Sequence, residues 1–77
     1  MTYRERIRNL REDHDYTQTF IAKKLGVGQR TYADYELGKT RMPIESLIIL
    51  AKLYDVDMNY ILGLSLKANH FPIEPRK

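Results

Sequence analysis

Seventy-seven residues, 43% apolar and 30% charged with a net charge of +3, describe one small globular domain and exclude a disordered or fibrous chain. No apolar run approaches a membrane span, Met1 leads into Arg4, Glu5, Arg6 and Arg8 instead of a secretory segment, and zero cysteines exclude disulfides and thiolate metal sites. Without a span or a secretory segment the expectation is a cytoplasmic protein, and a chain this short, which buries only about 60% of its unfolded surface, leaves no room for a separate sensing domain, so no cofactor and no small-molecule effector are expected.

The first predicted helix covers residues 3–13, with Thr2 as N-cap and an apolar stripe of Tyr3, Ile7 and Leu10 between Arg4, Arg6, Arg8 and Arg11. Glu12, Asp13, His14 and Asp15 lead out through a surface turn. Thr17 caps the second helix, 18–25, where Ile21 and Leu25 share a face and Ala22 is small enough for a close neighbour. Gly26 ends it, because glycine takes the left-handed conformation of a helix C-cap without steric cost.

Val27 fills the gap between helices, and Gly28 opens the third, 29–36, without a side-chain oxygen to cap it. Tyr32 and Tyr35 complete its inward face. Gly38 closes it, and residues 39–42 form a loop before Pro43, whose fixed φ suits the first turn of a fourth helix, 43–54. That helix is the most apolar, with Ile44, Leu47, Ile48, Leu50, Ala51 and Tyr54. Asp57 caps a short fifth helix, 58–62, stopped by Gly63. The predicted fold class is therefore all-α, a five-helix bundle whose domain ends near residue 64, although residues 54–58 could be extended.

Two short helices hinged by Gly26 make a helix-turn-helix, in which the second helix enters the DNA major groove. Charge agrees in sign: residues 1–41 carry nine Lys and Arg against six Asp and Glu, whereas residues 42–77 carry four of each. Such an excess suits a surface meeting phosphate, and it also suits ordinary solvated helix faces.

Arg6-Ile7-Arg8-Asn9-Leu10-Arg11, Tyr16-Thr17-Gln18, Ile21-Ala22-Lys23-Lys24-Leu25-Gly26-Val27 and Tyr35-Glu36-Leu37-Gly38-Lys39 stand in this order over the first half. Pro43, the run Leu47-Ile48-Ile49-Leu50-Ala51-Lys52 and Tyr60-Ile61-Leu62-Gly63 follow. In order and spacing the chain resembles the Cro/cI-like, or XRE-type, helix-turn-helix family over roughly sixty residues. The resemblance implies a sequence-specific regulator that binds a double-stranded DNA operator as a homodimer, with repression as its action. An antitoxin or protein-docking adaptor on the same fold is the alternative.

Gln29, Arg30, Ala33 and Asp34 lie near the start or on the outer side of the third helix, where base edges are met. Gln29 can pair twice with adenine and Arg30 twice with guanine, and the resemblance implies base reading from these positions. Asp34 either accepts from cytosine N4 or is neutralised by Arg30, four residues before it. Phosphate contacts are expected from Gln18 at a helix N-terminus, from Lys23, and from Lys39, Thr40 and Arg41, where the family grips the backbone. Tyr32 departs from the branched aliphatic residue usual in the family, and its hydroxyl must reach water, a polar group or phosphate.

Catalysis has little support. His14 and His70 are isolated, Ser46 and Ser65 lie in no nucleophile motif, and Gly26-Val27-Gly28 lacks the strand that precedes a phosphate-binding glycine loop. The tail, 65–77, holds Pro72 and Pro75 yet also Leu66, Phe71 and Ile73. It either joins the fifth helix in a two-fold dimer contact or folds back on its own core.

Overall fold

The computed structural model describes residues 1–72. Five helices follow in order, α1 (Tyr3–Asp13), α2 (Gln18–Leu25), α3 (Gln29–Leu37), α4 (Ile44–Tyr54) and α5 (Met58–Ile61), with no strand among the described residues. Local chemistry sets three of the starts. The Thr2 hydroxyl accepts from the Glu5 amide at 3.3 Å while the Glu5 carboxylate accepts from the Thr2 amide at 2.9 Å, a reciprocal cap that satisfies two otherwise unpaired donors. Thr17 accepts from the Phe20 amide at 3.0 Å and Asp57 from the Tyr60 amide at 2.8 Å. Each such cap stabilises its helix by about 1 kcal/mol.

The other two starts lack a side-chain cap. Gly28 behaves as expected, but Pro43 stands outside α4 with ψ 149, as its cap and not as its first residue. Its carbonyl accepts from the Ser46 and Leu47 amides, so proline starts the helix through its backbone oxygen and without a side-chain cap. The ends also shift by one residue: α3 continues through Leu37 and α5 stops at Ile61 with Leu62 as its cap.

Ile7, Ile21, Tyr32, Leu50 and Ile61 are fully buried and draw one residue from each helix into a single core. α2 packs on α3, α1 spans α3 and α5, and α4 closes the bundle against α5 and α2. Some burial differs from the periodicity. Ile44 is half exposed on the first turn of α4, and Met42 from the preceding loop fills core space, its amide donating to the Tyr3 hydroxyl at 3.3 Å. Arg6, expected on the solvated flank of α1, is buried with its guanidinium 3.6 Å from the Tyr60 ring centre, tying α1 to α5.

Residues 69–71 fold back on the corner between α4 and α5. The Asp57 amide donates to the Asn69 carbonyl at 2.9 Å, and the Phe71 amide donates to the Asp55 carboxylate at 3.1 Å. The Asp55 carboxyl is held below its usual range by the His70 ring and the Phe71 amide. Phe71 packs at the core's edge, whereas Leu64 and Leu66 stand exposed. Ile73 and Pro75, expected in the same tail, lie outside the described residues.

Candidate nucleic-acid interface

The turn between α2 and α3 is made by Gly26 at φ 70, whose amide returns to the Ala22 and Lys23 carbonyls. Val27 donates to the Ala22 carbonyl at 3.0 Å, which fixes the step into α3. A residue with a side chain at position 26 would be strained whatever the space around it. The hinge therefore sets the angle at which α3 leaves α2.

Beneath the outer face of this unit lies a buried ion pair that periodicity alone did not reveal. Arg11 of α1 donates through two nitrogens to the two Glu36 carboxylate oxygens, at 2.7 and 3.0 Å, and to the Tyr16 carbonyl at 3.0 Å. Arg11 is 14% and Glu36 4% exposed. Burial pushes the Glu36 carboxyl up, but the hydrogen bonds from Arg11 and Gln18 hold it below the usual carboxylate range. One signal in the sequence pointed here. Glu36 follows Tyr32 by four residues and so shares its inward face, where a charge requires a partner.

The pair controls the polar surface above it. Ionised Glu36 only accepts, so Gln18 must turn its amide nitrogen to it, at 3.2 Å. That leaves the Gln18 oxygen facing Gln29, whose nitrogen donates to it at 2.9 Å. Gln29 keeps its oxygen and one N–H free, the pair of groups that matches adenine N6 and N7. Gln18 keeps one N–H free for an anion. The chain Arg11–Glu36–Gln18–Gln29 thus runs from the core to an exposed donor and acceptor at the start of α3.

Arg30 is exposed beside Gln29, with Nε 3.9 Å from the Asp34 carboxylate and side-chain exposures of 87% and 25%. This is an ion pair without a hydrogen bond, worth a few tenths of a kcal/mol at most. Ala33 is half-buried on the same helix. Lys23 is exposed in the last turn of α2, and Lys39, Thr40 and Arg41 are exposed in the loop after α3. Gly38, at φ 77, ends α3, with the Lys39 amide donating to the Asp34 carbonyl at 3.0 Å.

Tyr32 corrects the sequence reading. It is 0% exposed, with its ring edge-on to Tyr35 and its hydroxyl inside the core beside Glu36, so it cannot meet a phosphate. Burial pushes its hydroxyl pKa up, keeping it neutral, and no partner in hydrogen-bond geometry satisfies it among the described residues. The tyrosine is a space filler in an aliphatic position. His14 caps α1, stacks on Tyr16 and lies tilted against Tyr54. Among the described residues, no group of three His, Asp or Glu could hold a metal ion, and no helix is long and apolar enough to cross a membrane.

Comparison with known proteins agrees with this geometry. A helix-turn-helix family profile matches residues 7–61. The chain is 43% identical over 63 residues to an HTH-type transcriptional regulator of Bacillus subtilis, YobD, covering 82% of this chain and 56% of that protein. It is 36% identical over 59 residues to the HTH-type transcriptional regulator AnsR of the same organism, with 77% and 51% covered. It is also 39% identical over 54 residues to the cryptic phage CTXphi transcriptional repressor RstR of Vibrio cholerae, with 70% and 49% covered. The chain spans about half the length of these relatives. No solved structure matches it.

Proposed function

The chain belongs to the XRE-type helix-turn-helix family, and from that premise we propose that it is a sequence-specific, double-stranded-DNA-binding transcriptional regulator that inserts α3 into the major groove. The observation that carries this reading is the exposed Gln29–Arg30 pair at the start of α3, with Gln29 held by Gln18 from below. A donor–acceptor pair fixed before binding loses less side-chain entropy on contact with a base than a free one does.

Gln29 reads adenine and Arg30 guanine, with Asp34 steadying the guanidinium or accepting from a neighbouring cytosine, and Ala33 allowing close approach. Gln18, Lys23, Lys39, Thr40 and Arg41 meet phosphates and set register without choosing sequence. The phage repressor among the relatives supports repression by occupation of an operator. Exposed Leu64 and Leu66 beside α5 support a homodimer through residues 58–66, which would set two copies of α3 about 34 Å apart on one face of B-DNA.

Selection of bound duplexes from a random pool, followed by salt titration, tests the reading. A regulator yields one enriched sequence and a log–log slope of about −0.9 per phosphate contact. A pool without enrichment and a flat slope would favour the protein-docking alternative.

A further inference from the structure

Between the start of α1 and the loop after α3 runs a groove of ≈530 Å³, lined by Tyr3, Arg4, Gly38, Lys39, Thr40 and Arg41. Three cations face it and no carboxylate does. The nearby acids are committed elsewhere, Glu5 to the cap at Thr2 and Glu36 to Arg11. We propose that Arg4 is a backbone-phosphate clamp for bound duplex DNA, gripping one phosphodiester across this groove together with Lys39 and Arg41. The proposal rests on the DNA-binding reading above and adds to it a contact from α1.

Arg4 differs from the other arginines of α1. Arg8 pairs with Glu12, Arg11 with Glu36, and Arg6 is buried 3.6 Å from the Tyr60 ring centre, whereas Arg4 is half-buried at the groove, stands a looser 5.6 Å from the Tyr3 ring centre and makes no ion pair among the described residues. A guanidinium partly withdrawn from water without a counterion is a site primed for an anion. Gly38 leaves the room it occupies. A Cβ there would stand 2.7 Å from Arg4 Nε, 2.9 Å from Cδ and 3.2 Å from Cζ, so the glycine that ends α3 also seats this side chain. Tyr3 accepts the Met42 amide at 3.3 Å and keeps its own hydrogen to donate, as does exposed Thr40. Because Lys39, Thr40 and Arg41 are shared with the phosphate-contacting loop, Arg4 acts on the same strand as that loop.

The test measures duplex affinity against salt for wild type, Arg4→Gln and Arg4→Met, on the selected site and on an unrelated duplex. The methionine variant keeps an apolar stem against Gly38, so it reports the lost guanidinium even where the glutamine variant loosens α1. Each variant is expected to bind both duplexes about eightfold more weakly near 0.1 M salt and to lose about 0.9 from the log–log slope. Steep wild-type binding that both variants leave unchanged overturns the clamp but not the regulator. Wild type without salt-dependent duplex binding sinks the regulator reading itself. Calorimetry with inorganic phosphate alone covers the remaining source: saturable binding that Arg4→Met abolishes, with an unchanged duplex slope, assigns the groove to a free anion and overturns the clamp.

Discussion

Replacing Glu36 by Gln removes the charge from the Arg11–Glu36 pair with little change of shape. Arg11 then stays 14% exposed without a counterion, and one of two short bonds, at 2.7 and 3.0 Å, is lost or weakened. Breaking a buried pair costs about 3–5 kcal/mol, and the carboxamide oxygen still accepts one bond, so the expected loss is about 2–3 kcal/mol. That is a large share of the roughly 4–12 kcal/mol available to a domain of this size. Urea unfolding followed by helical circular dichroism reads it directly. The pH dependence supplies a sign. The folded carboxyl titrates below its unfolded value near 4.5, so its stabilisation is full above that pH and fades as pH falls through the folded value. Wild type and Glu36→Gln should therefore converge in acid. The control is Glu12→Gln, whose partner Arg8 lies at 3.3 Å with both side chains more than half exposed, and which should cost under about 0.5 kcal/mol. Equal effects of the two substitutions, or a pH-independent gap, would refute the reasoning.

Arg30→Ala should cost about 1–3 kcal/mol on the selected site and relax base choice there, while Arg41→Ala should weaken all duplexes alike; competitive binding on matched and mismatched duplexes separates the two. Leu50→Ala removes a fully buried side chain from the centre of α4 and should destabilise by about 2–5 kcal/mol in urea, without changing which sequence is bound. Sedimentation at micromolar concentration before and after Leu66→Asp should show a dimer lost to monomer, and a monomer in both would remove the two-fold arrangement.

What was legible in the sequence was mostly local. Thr2, Thr17 and Asp57 carry their caps within three residues, and Gly26 and Gly38 mark ends by backbone conformation, so the five helices and the hinge follow without tertiary knowledge. The departures arise where packing decides. Pro43 suits either a first turn or a cap, Met42 enters the core because Tyr3 holds its amide, and Arg6 is buried because Tyr60 offers a ring face. In the candidate site, Gln29 and Arg30 stand outward because Tyr32 and Tyr35 fix the inner stripe. The hydroxyl of Tyr32 suggested a polar contact, yet its ring is the part the core uses. Glu36 was hidden for the opposite reason, since a carboxylate on an inner face makes sense only once Arg11 arrives from another helix.

The most direct probe of α3 as a groove reader is a duplex of the selected sequence in which the guanine assigned to Arg30 becomes 7-deazaguanine. This removes one major-groove acceptor and leaves pairing and the minor groove intact. Wild type should bind the altered duplex about tenfold more weakly, and Arg30→Ala should bind both duplexes equally. Undiminished wild-type affinity for duplexes altered at every guanine in turn would contradict guanine reading by Arg30, and with it the account of how this helix meets DNA.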